Sequence, residues 1–186
     1  MNHSTFQTPD LTTFCGLNTL GLTATGQHLE QTHAWIGCRP ATDDTFCHRC
    51  GAKGIPRDTV TRRLAHVPFG MRPTSLVIRL RRYRCKHCQH VWRQDLSMAA
   101  KPRAKISRTA LHWALCAIVH QHLSVSRIAE ALNVSWNTAN TSILDEGNRV
   151  LNSGPARFEA VRVIGVDEHV WRHTRTGTST LPSSST

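Results

Sequence analysis

Alternation of apolar and polar positions is sharpest between Ser75 and Arg84. Leu76, Ile78 and Leu80 fall on one face there, and Arg79, Arg81 and Tyr83 on the other. A period of two is that of a strand with one buried face. From Arg108 to His122 the spacing becomes helical, with Leu111, Leu115, Ile118 and Val119 forming a packing stripe. Two further helical segments follow, Ser124 to Asn133 and Val134 to Ile143, with the cadence of a helix-turn-helix. Ile128, Ala129 and Leu132 would bury against Val134, Ala139 and Ile143, and small Ala129 would sit at the helix crossing. Asn133 occupies the turn position that needs a left-handed backbone, and Ser135 caps the second helix. Asn152-Ser153-Gly154-Pro155 breaks the helical pattern, and the nearly continuous apolar run Val161–Val166 predicts a buried strand.

These patterns predict an α+β chain of several modules. Residues 1–40 are rich in Thr, with few charges and no clear period, and predict a weakly structured N-terminal arm (1–44) with one short helix at most. A small ribbon follows over 45–97, and Lys101-Pro102-Arg103 reads as a linker. An all-α helix-turn-helix covers 105–152, a strand segment 158–176, and a Ser/Thr-rich tail with no folded element 177–186.

Charge sharpens this picture. The chain carries 23 Lys and Arg against 12 Asp and Glu, a net +11 with His neutral, which calls for a polyanionic partner. The excess is concentrated from Arg49 to Arg108, where 16 basic residues face only Asp58 and Asp95. Arg dominates that stretch and suits bidentate phosphate and base contacts better than Lys. No run of about 18 apolar residues is present, so no membrane span is expected. The N-terminus lacks the pattern of a secretory signal. The expected setting is cytoplasmic and nucleoid-associated, where cysteines are read for metal before disulfides.

Of seven cysteines, four form two knuckles, Cys47-His-Arg-Cys50 and Cys85-Lys-His-Cys88. Each CxxC turn presents two thiolates to one ion, and two turns complete the tetrahedron of a structural zinc site. Arg81, Arg82 and Arg84 are placed to balance the negative charge of four thiolates on one zinc. His48 and His87 lie inside the knuckles as alternative ligands. Cys15, Cys38 and Cys116 have no partner at ligand spacing, and Cys116 reads as helix core.

On the second helix of the helix-turn-helix, Trp136, Asn137, Asn140 and Thr141 occupy the leading turns. Asn reads adenine bidentately and Thr touches a thymine methyl. A plain helical hairpin with a polar face would leave the same pattern, with Trp136 in its core. Arg79, Arg81, Arg82 and Arg84 are the candidate DNA-contacting cations of the ribbon. Asp167 ends the predicted strand at 161–166, where an acid either holds a metal or simply turns or caps the chain.

Taken in order, these features resemble the ISL-three family of insertion-sequence transposases. The matching stretches are Cys47–Cys50, His66-Val-Pro-Phe-Gly-Met-Arg-Pro73, Leu80-Arg-Arg-Tyr-Arg-Cys85 with Cys88, Val134-Ser-Trp136, and Ile164-Gly-Val-Asp-Glu-His-Val-Trp171. The resemblance implies a zinc ribbon and helix-turn-helix that grip the element's terminal inverted repeats in double-stranded DNA. It further implies a ribonuclease-H-like domain with an Asp, Asp, Glu triad that holds magnesium only when complete. Asp167 matches the first acid. The second Asp and the Glu have no counterpart, so the strand at 158–176 reads as the start of an incomplete catalytic domain, inactive alone, and residues 177–186 as a frameshifted tail. Partners implied are DNA, full-length transposase and a second copy of the chain. Two other roles fit the same residues: a small transcription regulator with a zinc ribbon and helix-turn-helix, and an inhibitor of the full-length transposase.

Overall fold

The computed structural model describes residues 8–152, together with Glu159, Val161 and Arg162. Its centre is a five-stranded sheet in the order β1-β2-β4-β3, with β5 also on β4. The strands are β1 (Leu22–Leu29), β2 (Ala34–Pro40), β3 (Gly54–Phe69), β4 (Arg72–Cys85) and β5 (Val91–Arg93). β3 and β4 form one long antiparallel ribbon. It is closed by Gly70 (φ 56°) and Met71 (φ 62°), the paired left-handed residues that a two-residue hairpin turn demands. β2 runs parallel to the first half of β4, from Ala34↔Thr74 to Cys38↔Ile78. β5 pairs the far end of β4, Arg82 to Arg84. The ribbon therefore has two halves, one widened by β1 and β2 and one carrying β5 and the cysteines.

The N-terminal segment is not a weakly structured arm. It contributes a helical turn, α1 (Leu11–Phe14), capped by Asp10. It also contributes β1 and β2 and much of the main core, where Leu17, Leu20, Leu22, Ile36 and Cys38 are buried with Leu64, Leu76, Ile78 and Leu80. Ala34, Ile36 and Cys38 do alternate into the core. The run is short, however, and its partner is a strand about forty residues away, so local periodicity understates it.

Three helices follow: α2 (Arg108–Gln121), α3 (Val125–Leu132) and α4 (Trp136–Gly147). Their N-caps are Ser107, Ser124 and Ser135, whose side chains accept from the backbone N–H of Ala110, Arg127 and Thr138. Asn133 adopts the expected left-handed conformation (φ 50°, ψ 52°) between α3 and α4. Ile128, Ala129, Leu132, Ala139 and Ile143 are buried together, with Val134 packed against them. The buried stripe of α2 is Ala110, Leu111, Ala114 and Ala117. Val119 is exposed and Cys116 only half-buried. Small residues let α2 approach its neighbours closely, so Cys116 is not helix core.

The expected linker is also tied down. Arg62 donates through Nη2 to the carbonyls of Lys101 and Ala104, both at 2.9 Å. Ile106 bridges to Ala65 of β3, and Ala65 is buried in the helical cluster. Residues 8–152 thus belong to one compact unit rather than to a separate ribbon and helical module. The predicted strand beyond Arg162, Asp167 and the tail at 177–186 lie outside the described residues.

Candidate metal centre and basic surfaces

Both knuckles are turns whose geometry follows from the sequence. Gly51 follows the first at φ 73° and Gln89 the second at φ 60°. Each left-handed residue lets its N–H fold back on the knuckle's first carbonyl: Gly51 donates to Cys47 O at 2.9 Å and Gln89 to Cys85 O at 3.1 Å. The ladder of β3 and β4 ends at Gly54↔Cys85, which brings the knuckles face to face.

The four sulfurs of Cys47, Cys50, Cys85 and Cys88 lie within 4.8 Å of one another. Cys47 Sγ is 3.5 Å from Cys88 Sγ, and Cys50 Sγ is 3.5 Å from Cys85 Sγ. Zinc–sulfur bonds of about 2.3 Å put the corners of a tetrahedron about 3.8 Å apart, so the arrangement fits one zinc ion. Backbone N–H groups already face the sulfurs, Arg49 N–H to Cys47 Sγ and Cys88 N–H to Cys85 Sγ, each at 3.4 Å. The Cys88 N–H, foremost among several donors, holds the Cys85 thiol down at about 6. Burial raises the Cys47 thiol, but the N–H groups of Arg49 and Cys50 outweigh it and leave it lowered. At Cys50 the Ala52 N–H lowers the thiol, while the facing Cys85 and Cys88 sulfurs push it up to about 12.

The histidines in the knuckles stand outside this set. His48 Nε2 is 2.8 Å and 2.9 Å from the Asp44 carboxylate oxygens, and His87 is exposed. What backs the site is aromatic. Tyr83 and Trp92 stack at 5.7 Å beside buried Cys47 and Cys85, and the Trp92 Nε1–H donates to Asp44 O at 2.9 Å. Gly54 makes room for that indole, since a Cβ there would lie 2.2 Å from Trp92 Cη2. Neither Trp92 nor Gly54 stands out in the sequence. The signal was an aromatic four residues after Cys88 and a glycine four residues after Cys50, both common in loops.

The candidate arginines divide between the two faces of β4. Arg79 and Arg81 line one cleft. Arg82 and Arg84 project from the opposite side of the strand, as alternation requires. Arg82 forms a two-pronged pair with the Asp58 carboxylate, and Arg84 donates to Gln89 Oε1. None of Arg81, Arg82 and Arg84 donates to a cysteine sulfur among the described residues; the donors that face the sulfurs are backbone N–H groups. On α4, Trp136, Asn137 and Thr141 are exposed and Asn140 half-exposed. Trp136, 50% exposed, is not core.

Residues 43–88 match the family described as zinc-finger of transposase IS204/IS1001/IS1096/IS1165. The match covers both knuckles and the whole ribbon between them, and it supports kinship with these transposases. Neither a curated protein nor a solved structure is significantly similar to the chain. Among the described residues, no helix is long and apolar enough to cross a membrane.

Proposed function

We propose that this chain is a DNA-binding portion of an insertion-sequence transposase, with structural zinc in its ribbon and α3–α4 as a helix-turn-helix. The carrying observation is the four-thiol cluster inside the stretch that matches the transposase zinc-finger. A basic chain built around such a ribbon is suited to double-stranded DNA, and the ribbon's zinc contributes folding free energy rather than chemistry.

In this reading α4 enters the major groove. Asn137 and Asn140 offer the two-donor, two-acceptor amide that reads adenine, Thr141 a methyl and hydroxyl, and Trp136 an apolar edge beside the backbone. Arg79 and Arg81 contact phosphates. Arg82 and Arg84, already held by Asp58 and Gln89, stiffen the ribbon instead. The DNA recognised is the element's terminal inverted repeat. Asp167, which matches the first acid of a magnesium-holding triad, takes no part in this binding role.

The reading is tested by fluorescence anisotropy with duplexes cut from the element ends against shuffled duplexes of equal composition. Wild type is expected to prefer the terminal duplex at least tenfold, and Asn137→Ala with Asn140→Ala to erode that preference, each lost pair costing about 1–3 kcal/mol of discrimination. Equal affinity for all duplexes would remove terminal-repeat recognition. No binding even at low salt would overturn the reading.

A further inference from the structure

The face of the sheet turned away from the main core carries a cleft of about 550 Å³, lined among others by Arg39, Arg79 and Arg81, with Thr59, Thr61 and Asp43. Three strands meet there. Thr59 stands opposite Arg81 and Thr61 opposite Arg79 across β3 and β4. The parallel register of β2 with β4 runs up to Cys38↔Ile78, which brings Arg39 next to Arg79. Arg39 and Arg79 are exposed, and their guanidinium groups make no hydrogen bond or ion pair with another described residue. Arg81 has a long contact, 3.9 Å, to Asp43.

Several other arginines have occupied guanidinium groups, Arg62 by two carbonyls, Arg72 by Gln31 O, Arg108 by Ser97 O and Arg149 by Glu146, and the cleft differs in gathering unoccupied ones side by side. Two unoccupied guanidinium groups and a third weakly held one, against a single carboxylate, repel one another unless an anion joins them. Arg79 and Arg81, two residues apart on one strand, are spaced about 7 Å along it. The cleft is lined by hydroxyls as well as by several cations. That composition suits a chain of phosphodiesters, which offers several charges in succession, better than one small desolvated anion.

We propose that this cleft is a second DNA contact, a backbone-gripping surface of β2, β3 and β4 that acts alongside α4 and depends on Arg39 from the N-terminal hairpin. The proposal rests on the DNA-binding reading above. It assigns backbone affinity to the sheet and base readout to the helix, with Asp43 as a built-in counterweight that weakens the grip of Arg81.

The test is the salt dependence of duplex binding by the zinc-loaded chain. Each phosphate contact contributes about 0.9 to the slope of log K against log salt. Arg39→Ala with Arg79→Ala is expected to lower that slope by about 1.8 and to leave the ratio between terminal and shuffled duplexes unchanged. Asp43→Asn is expected to tighten binding to both duplexes several-fold, a gain that a misfolded variant would not give. Arg82→Ala serves as the control and is expected to move the slope by less than half of one contact. Wild-type binding with an unmoved slope in the double variant would overturn the cleft and leave the helix reading intact. An equal effect from Arg82→Ala would also overturn the cleft, by making the effect one of overall charge. A wild type that binds no duplex would overturn both proposals. Capture of an acidic polypeptide such as poly-glutamate, lost in the double variant while the duplex slope stays put, would assign the cleft to a protein partner instead.

Discussion

Gly54 and Trp92 show how one missing carbon positions the metal end of the ribbon. The indole ring lies where a Cβ of residue 54 would stand, 2.2 Å from Cη2. Gly54→Ala must therefore move either a strand residue or the ring that backs Cys47 and Cys85. We expect it to cost about 1–3 kcal/mol and to weaken zinc retention, read as a lower melting temperature and faster metal loss to a chelator. A variant with unchanged melting and metal loss would mean that the ring has room to move. His66 makes a second residue-scale case. It is buried between three segments, with Nδ1 2.9 Å from Ser107 Oγ and Nε2 3.2 Å from Cys15 O. Burial lowers its pKa below the ordinary 6.5. The folded state therefore binds fewer protons than the unfolded one: its contribution is complete above about pH 6.5 and is lost as pH falls from there through the lowered value. The stability lost between pH 7.5 and 5.5 should be smaller in His66→Gln than in wild type. Equal losses would show that His66 does not govern this window. His66 stood in the sequence only as part of the stretch resembling the transposases; its burial depends on Cys15, about fifty residues earlier, and no local pattern could announce that.

Among the elements, those stabilised locally were legible and those stabilised at long range were not. The α3–α4 turn was readable to the residue, because Asn133 and Ser135 are chosen by backbone conformation and capping rather than by distant packing. Ser135→Ala should cost about 1 kcal/mol, through loss of the bond to the Thr138 N–H, and Asn133→Val about 1–2 kcal/mol. Asn133→Gly should be tolerated. Thermal unfolding of the three variants checks the order, and a destabilising Gly would contradict it. The sharp alternation of β4 was also visible, although Tyr83 is buried on the face that reads as polar, because Trp92 covers it there. β1 and β2 escaped notice. Their apolar residues are few, and the strands become buried only by pairing with each other and with β4. The set of four arginines read as one cluster splits for a simpler reason: adjacent residues on a strand point to opposite faces.

At the scale of the whole molecule, the metal and the main core sit in different halves of one ribbon. Leu17, Leu22, Ile36, Leu64, Leu76 and Ile78 form a core that shares no residue with the cluster of Cys47, Tyr83, Cys85 and Trp92. Removing zinc should therefore release the knuckle end and leave the β1–β2 half and the helices folded. Hydrogen exchange is expected to show lost protection at Cys47–Gly54 and Cys85–Arg93 and retained protection in β2 and α2. Uniform loss of protection would mean that the metal holds the entire unit. The proposal that one zinc-organised chain binds DNA is tested by native mass spectrometry of the chain mixed with a terminal duplex. The expected complexes carry the duplex and one zinc per chain. Chains that bind the duplex without zinc, or zinc-loaded chains that never retain it, would contradict the claim.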